Sequence, residues 1–332
     1  MTSDNAIISI IVLTYNAQWK KLSTTLMSIM TQINIKPQIV IADDGSKNNL
    51  ENDILNLFAL NNFTNYKLSF QSKNRGTVDN IYSALQFCDG KFIKAISPGD
   101  YFYDKDSLFT WVNFMEEKKS KISFGDAAFY CHNGNSIRTI DNISSPLCKN
   151  VYIANERNEL FVRYLLANDT ILGASLAYDK QTLIYLLNKI KGSVKYAEDF
   201  TVRIAVFENI RIDYYSNFII WYEYGTGISS CNSEKWNKRI FEDFNSSNII
   251  IMNDDVTPDY LSKRYKAYLC KSTNGPKALA KFIKVFYFPS LIKIRCEMRY
   301  RIKHKAETDE KTISTNFINQ ILMRAEENNA SN

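Results

Sequence analysis

Acidic side chains recur in this sequence just beyond stretches of apolar residues. The run Ile39–Ala42 is followed by Asp43-Asp44, and the run Phe92–Ile96 leads through a short turn to Asp100. A further acidic pair, Glu198-Asp199, precedes a stretch that is typical of a helix. Carboxylates can accept protons from a hydroxyl, accept hydrogen bonds from N–H groups and bind divalent metal ions. These three positions are therefore the candidates for chemistry.

Strands and helices must hold these carboxylates, and the hydrophobic pattern predicts them. The runs Ile7–Leu13 and Ile39–Ala42 are typical of strands that are buried on both faces of a parallel sheet. Apolar residues at helical spacing over 22–33 predict a helix between them, which makes a right-handed βαβ unit. Because ligands bind at the carboxyl ends of such strands, Asp43-Asp44 predict a binding site. The alternative is a solvated turn, since Asp-Gly-Ser is ordinary turn chemistry.

The same alternation continues along the chain and predicts an α/β fold with a mixed, mostly parallel sheet. Ser46 is expected to cap a helix that begins directly after Gly45. The polar stretch Cys131–Asn150 predicts a loop, and helices are expected to dominate after about residue 230. The other predicted strands are Tyr66–Phe70, Phe92–Ile96, Ile122–Phe129, Ile210–Tyr214 and Ile219–Tyr222.

Composition limits the classes of protein to consider. The chain has 332 residues, of which 45% are hydrophobic, enough for a full core. Six cysteines without a Cys-x-x-Cys pair and two histidines argue against a zinc site or a disulfide framework. Gly-rich fingerprints of dinucleotide and P-loop sites are missing. No signal-peptide layout is present and no stretch approaches the roughly 18 apolar residues of a membrane span, so we expect a cytoplasmic protein with reduced thiols.

Positive charge is concentrated near the C-terminus. Residues 276–305 carry nine Lys or Arg and one acid, Glu297, for a net charge of +8, whereas the rest of the chain sums to −2. Cations mixed with aromatic and aliphatic residues are typical of helices that lie on an anionic membrane surface. The alternatives are a helix packed on the rest of the chain, a contact in a homo-oligomer, and nucleic-acid binding, for which no module signature is present.

Read together, the motifs resemble those of the family 2 glycosyltransferases, over roughly residues 7–230. This resemblance implies a GT-A fold and the use of a nucleotide-activated sugar. Each motif is weakly specific, but their order and spacing match the family. The matching residues are Ser9–Asn16, Asp43–Ser46, Asn74-Arg75-Gly76 with Asn80, Gly90–Ile93, Asp100 and Glu198-Asp199.

The resemblance also implies residues for each part of a nucleotide-diphospho-sugar donor. Asp44 is expected to accept the uracil N3–H of a UDP-sugar, with Tyr15 packed on the base. Asp43 or Asn16 is expected to support the loop, and Arg75 to approach the diphosphate or the uridine. The structural alternatives are a partly buried tyrosine and a solvated arginine. The expected donor-binding residues are Thr14, Tyr15, Asn16, Asp43, Asp44, Arg75, Ser97 and Gly99.

A divalent ion, Mn²⁺ or Mg²⁺, is implied at the diphosphate, where the family carries an Asp-x-Asp motif. Here Ser97 and Gly99 stand in place of the first two aspartates, and Asp100 is the expected metal ligand. The histidine that many relatives carry later in the chain is also missing, and Glu223 is a substitute oxygen ligand to consider. The alternatives are weak binding of the ion or its replacement by Lys and Arg.

By the same resemblance, Asp199 is the expected general base of an inverting transfer, and Glu198 is expected to contact the acceptor or orient Asp199. A helix N-terminus is expected to favour the ionised carboxylate. The alternative is a pair of solvated acids in a first helical turn. The small-residue segment Gly225–Ser230 is expected to close over the donor, or else to be a plain connection.

These observations predict a non-processive glycosyltransferase of bacterial surface polysaccharide assembly, at the inner face of the membrane. Its acceptor is expected to be a glycan hydroxyl, with a lipid-linked glycan as one option. Residues 1–230 are predicted to form the GT-A domain, with a donor half of about 1–130 and an acceptor half of about 131–230. Residues 231–332 are predicted to form a helical region. The rival functions are a catalytically weak scaffold and a sugar nucleotidyltransferase.

Overall fold

A computed structural model of the protein describes residues 7–133, 136–141, 143–225, 233–256, 259–274, 277–304 and 313–330. Nine strands within these residues join one mixed sheet. Their bounds are β1 Ile8–Thr14, β2 Gln38–Asp43, β3 Tyr66–Phe70, β4 Phe92–Ile96, β5 Tyr101–Phe102, β6 Ile122–Asn133, β7 Ser136–Ile140, β8 Leu176–Asp179 and β9 Ile212–Glu223.

The strand order β3-β2-β1-β4-β8-β6-β9-β5 brings the predicted motifs to one edge of the sheet. Strands β3, β2, β1 and β4 are parallel, and Thr14 at the end of β1 lies in register with Asp43 at the end of β2. Strand β8 is antiparallel to both β4 and β6, while β9 is parallel to β6. The carboxyl ends of β1, β2 and β4 therefore open onto one crevice, where α/β sheets bind ligands. The predicted α/β, GT-A-like fold class is confirmed.

Helices cover both faces of the sheet. The first strand shows this directly, because Ile11 packs into one apolar cluster and Ile10 and Val12 into another. The helices are α1 Trp19–Met30, α2 Glu51–Leu60, α3 Thr77–Ala84, α4 Ser107–Lys118, α5 Asn150–Ile153, α6 Arg157–Val162, α7 Lys180–Ile190, α8 Phe200–Phe207, α9 Glu234–Asn253, α10 Tyr260–Asn274, α11 Lys277–Tyr287, α12 Ser290–His304 and α13 Asn316–Ala330.

The C-terminal helices join the same cores. Tyr265 of α10 and Leu291 of α12 are buried in the cluster that contains Ile11. Phe317 and Ile321 of α13 are buried in the other cluster, where α13 packs on α1. The helices predicted after residue 230 are thus present, and they complete the hydrophobic cores.

Three local predictions were wrong. Helix α2 begins at Glu51, not after Gly45, because the Ser46 N–H and hydroxyl both donate to Asp43 and hold a turn there. The predicted loop over Cys131–Asn150 contains β7, which forms a hairpin with the extended end of β6. The two strands predicted over 210–222 are the single strand β9, which stays paired with β6 through an irregular register.

Candidate functional site

The loops after β1 and β2 are tied together by the carboxylate of Asp43. It accepts hydrogen bonds from Thr14 Oγ1 at 2.8 Å and from the Ser46 hydroxyl at 2.6 Å. The Ser46 oxygen in turn accepts the backbone N–H of Asn16 at 2.6 Å, and the Asn16 side chain accepts the N–H of Lys47. Tyr15 lies between Thr14 and Asn16 in the sequence, and its side chain is 54% exposed. Asp43 and Asn16 thus shape the loop that presents Tyr15.

Asp44 organises a second loop, at residues 73–76. Its two carboxylate oxygens accept the backbone N–H groups of Arg75 and Gly76 at 2.7 and 2.8 Å. Burial raises the pKa of Asp44, and these two hydrogen bonds oppose that shift. Gly76 has φ +98°, and a Cβ there would lie 2.4 Å from Cγ of Lys195, so only glycine fits. The Arg75 side chain is exposed, and its backbone makes the contact with Asp44.

A cavity of about 320 Å³ lies beside these loops and joins distant parts of the sequence. Asp100, Glu223, Glu198 and Asp199 all line it. The tertiary structure therefore places the expected metal ligand and the expected general base in one cavity. Its remaining walls come from Leu13, Thr77, Ala95, Ile96, Ser97, Pro98, Leu172, Gly173, Ala174, Tyr196, Ala197, Tyr222 and Ile240.

Glu223 occupies the space that a side chain at position 99 would need. A Cβ on Gly99 would lie 2.6 Å from Glu223 Oε2, and Gly99 has φ +105°. Lys21 Nζ donates to both oxygens of Glu223, at 2.8 and 2.6 Å. Nε2 of His132 lies 3.7 Å from the same carboxylate. Position 99 carries glycine instead of the aspartate of the Asp-x-Asp motif, and the carboxylate of Glu223 lies where the side chain of residue 99 would begin.

Asp100 is buried beside Glu223 and receives its backbone N–H. Among the residues that the structure describes, no group of three or more His, Cys, Asp or Glu side chains is placed to hold a metal ion. Asp100 and Glu223 are nevertheless hard oxygen ligands at one cavity wall. Such a pair fits a divalent ion that completes its coordination with diphosphate oxygens and water.

Lys94 is a buried cation that the sequence analysis missed. Its Nζ donates to the carbonyl of Ala174 at 2.6 Å and to that of Ala95. Burial lowers the pKa of Lys94, and the charges of Asp100 and Glu198 oppose that shift. The signal was visible in the sequence, because Lys94 interrupts the apolar run of β4. Its positive charge acts on both Asp100 and Glu198.

Glu198 and Asp199 immediately precede helix α8, with Asp199 at its N-cap position. Burial among cavity walls raises the pKa of Asp199, and the charge of Arg203 opposes the shift. The pKa of Glu198 is raised by burial and, to a smaller extent, by the negative charge of Asp199. The helix N-terminus was expected to favour ionisation of Asp199, but desolvation outweighs it.

Helix α9 fixes the segment that leads to this acidic pair. The buried carboxylate of Asp243 accepts the backbone N–H groups of Lys195, Tyr196 and Ala197 at 2.8, 2.7 and 3.0 Å. On the other side, the carbonyl of Lys195 accepts the N–H of Val78. The sequence analysis missed Asp243, because nothing in its local pattern distinguishes it from a solvated helical acid. Of the predicted closing segment Gly225–Ser230, residues 226–230 lie outside the described residues.

The basic segment forms α11 and α12 rather than one helix. Phe288, Leu291 and Ile294 are buried against the core. Phe282 and Phe286, one turn apart on α11, are 76% and 79% exposed. None of the described helices is both long and apolar enough to cross a membrane.

Comparisons with known proteins show the family and the fold of the chain. The model of the family described as glycosyl transferase family 2 matches residues 9–177. S. aureus TarS 1–349 in complex with UDP is 18% identical, with a TM-score of 0.53 over 98% of this chain and 92% of that one. The same protein with UDP-GlcNAc gives 17%, a TM-score of 0.55, and coverage of 98% and 88%.

A more distant protein shows the same fold. The mannosyltransferase PcManGT from Pyrobaculum calidifontis, in complex with GDP-Man and Mn²⁺, is 12% identical, with a TM-score of 0.55 over 99% of this chain and 88% of that one. No curated protein sequence matches the chain. At these identities, the solved structures establish the fold alone.

Proposed function

Because the chain belongs to glycosyl transferase family 2, we propose that it transfers one sugar from a UDP-sugar to a hydroxyl of a glycan acceptor. The transfer proceeds with inversion at the anomeric carbon and releases UDP. The observation that carries the proposal is the shared cavity, onto which Asp100 and the Glu198–Asp199 pair both open. In this proposal, the donor diphosphate lies near Asp100 and the anomeric carbon of its sugar lies near Asp199, within the same cavity. The similar TarS structures, which hold UDP and UDP-GlcNAc, support the choice of UDP.

Asp199 acts as the general base in this proposal. It removes the proton of the acceptor hydroxyl while that oxygen attacks the anomeric carbon from the side opposite the leaving nucleotide. Its raised pKa suits the task, because a base whose pKa lies closer to neutrality accepts the proton more readily. Glu198 contacts the acceptor or orients Asp199. Lys94 partly balances the negative charge of Glu198, and Arg203 that of Asp199.

Asp100 and Glu223 would hold Mn²⁺ or Mg²⁺ at the diphosphate. Such an ion, when bound, neutralises charge that develops on the leaving nucleotide. On the nucleotide side, Asp44 accepts the uracil N3–H through lone pairs that remain beside its two backbone bonds, and Tyr15 packs on the base. The Lys21–Glu223 ion pair adds a cation next to the same wall.

The proposed setting is bacterial surface polysaccharide assembly at the inner face of the cell membrane, with the acceptor presented at that surface. The exposed phenylalanines of α11 and the net positive charge of residues 276–305 support a peripheral contact with anionic lipid.

The test is a thermal-shift panel with UDP, dTDP, GDP, CDP and CMP, each with Mn²⁺, Mg²⁺ or EDTA, followed by turnover assays. A ligand that binds the folded state raises the melting temperature. UDP is expected to give the largest shift, larger with metal. Asp199→Asn is expected to keep the shift and lose transfer, whereas the exposed control Asp255→Asn keeps both. No shift with any nucleotide would overturn the proposal.

A further inference from the structure

One face of helix α9 continues the wall of the cavity beyond the catalytic pair. Trp236, Arg239, Ile240 and Asp243 are spaced so that they share a face of the helix. Asp243 binds the backbone before Glu198, as described above, and Ile240 lines the cavity. Trp236 lies one turn before Ile240, and Arg239 directly precedes Ile240; both lie next to Tyr196.

These side chains form a compact aromatic and cationic cluster. The rings of Tyr196 and Trp236 meet edge to face with their centroids 5.0 Å apart. The Arg239 guanidinium lies 4.7 Å from the centroid of Trp236 and 5.0 Å from that of Tyr196. Tyr196 itself lines the cavity, so the cluster is continuous with the site. None of these residues has a role in the donor chemistry above.

The chemistry of the cluster suits a charged sugar. Aromatic rings give rigid apolar surface, with polar groups at their edges, on which the C–H face of a sugar ring can pack. A guanidinium stacked on such rings directs its N–H donors along its edge, where a carboxylate or phosphate binds in bidentate fashion.

The surrounding charges favour an anion. Lys195 lies with its Nζ 5.3 Å from the Tyr196 ring, and Lys235 and Lys238 are exposed on the same turns of α9. The acids on this part of α9 are Glu234 and Glu242, and the carboxylate of Asp243 is bound by three backbone N–H groups.

We propose that Tyr196, Trp236 and Arg239 form an acceptor subsite for a sugar that bears an anionic group, a carboxylate or a phosphate. This inference rests on the proposed transferase function, because it needs an acceptor beside Asp199. The sugar ring packs on Trp236 and Tyr196, and its anionic group meets Arg239. A hydroxyl of the same or the next residue then reaches the catalytic pair.

The test measures binding of three probes to the full chain saturated with UDP, by saturation-transfer NMR. The probes are methyl glucoside, methyl glucuronide and glucose 6-phosphate. We expect the charged probes to bind at least fivefold more tightly than methyl glucoside, and the two charged arms show whether carboxylate or phosphate is preferred. Arg239→Gln is expected to abolish the preference, whereas Trp236→Leu weakens all three. Arg211→Gln, which changes an exposed side chain paired with the buried Asp213, is the control.

Equal binding of the three probes to the wild type would overturn the subsite, as would a preference that persists in Arg239→Gln. The UDP-induced melting shift separates this failure from that of the proposed function. A normal UDP shift without discrimination among the sugars refutes the subsite alone, whereas absence of the UDP shift refutes the transferase proposal. If Trp236→Leu does not fold, Arg239→Gln decides.

Discussion

At the scale of single residues, the site depends on side chains that are distant in the sequence but adjacent in the structure, such as Glu223 beside Gly99. Gly99 leaves room for the carboxylate of Glu223, which comes from the far end of β9. Lys21 then binds that carboxylate from α1. The carboxylate beside Gly99 therefore comes from a strand distant in the sequence and is paired with a lysine.

The first prediction concerns Gly99→Ala. Both Gly99 and Gly192 have positive φ, but only at Gly99 would a new Cβ meet another atom, Glu223 Oε2 at 2.6 Å. Backbone strain should cost each alanine variant about 1–3 kcal/mol. Gly99→Ala should also displace Glu223 and lose most transfer, whereas Gly192→Ala keeps it. Urea unfolding and turnover measure the two effects, and full activity in Gly99→Ala would refute the role of this contact.

The second prediction is the pH dependence that Asp199 sets. Its pKa is raised above the ordinary 3.8, so the native state binds the proton more tightly than the unfolded state. Protonated Asp199 therefore contributes to folding stability at low pH. That contribution is lost as pH rises from the pKa of Asp199 in the unfolded state to its pKa in the folded state. Transfer needs the ionised form and should rise over the same range. The profile of kcat/KM should have an acidic limb well above pH 3.8.

Other charges also act on Asp199. Arg203 lowers its pKa and Asp243 raises it. The neighbouring Glu198 also has a raised pKa, and the positive charge of Lys94 opposes that rise. Asp199→Asn should melt higher than the wild type at neutral pH, because it removes a buried charge. A variant that melts lower at neutral pH would contradict this sign.

At the scale of elements, helix α9 holds the loop that carries the proposed catalytic pair, Glu198 and Asp199. The third prediction is that Asp243→Asn lowers kcat by about 10-fold or more, since a displacement of about 1 Å in a catalytic group can cost about 100-fold in rate. The KM for the donor should change little, because Asp243 touches no donor-binding residue. The acidic limb of the pH profile should move lower as a negative neighbour is lost. Glu242→Gln, exposed on the same helix, is the control.

At the scale of the whole molecule, the C-terminal helix α13 packs on α1 and joins one of the hydrophobic cores. Ile321 of α13 is buried against α1, the helix that carries Lys21. The fourth prediction is that Ile321→Ala destabilises the protein by about 2–5 kcal/mol through lost burial and a residual cavity. Met323→Ala, on the exposed side of α13, should change stability by less than about 0.5 kcal/mol. Equal losses in urea unfolding would show that α13 is not packed on α1.

The fifth prediction concerns the membrane contact of α11. Phe282 and Phe286 are exposed on a segment of high positive charge. The wild type should sediment with vesicles containing phosphatidylglycerol and not with pure phosphatidylcholine, and high salt should release it. Changing both residues to Ser should reduce binding about tenfold, while Phe241→Ser, exposed on α9, leaves it intact. Indifference to the lipid charge would refute the contact.

Much of the architecture follows from the sequence alone. Buried apolar runs determine β1, β2 and β4, since a strand covered on both faces is apolar at most of its positions. Their order along the chain, with helices between them, indicates a parallel α/β arrangement. The match to family motifs is of the same kind, because it depends on short contiguous stretches such as Asp43–Ser46 and Glu198-Asp199.

Tertiary structure alone decided which distant groups meet. Three interactions join residues that are far apart in the chain. Glu223 lies beside Gly99, Lys94 interacts with Asp100 and Glu198, and Asp243 binds the loop before the proposed catalytic pair. The start of α2 also depended on such a contact, because Ser46 binds Asp43 and Asn16 instead of capping a helix. Local patterns report which face of an element is buried. The identity of the opposite partner depends on how the whole sheet and its helices assemble, and no short stretch contains that information.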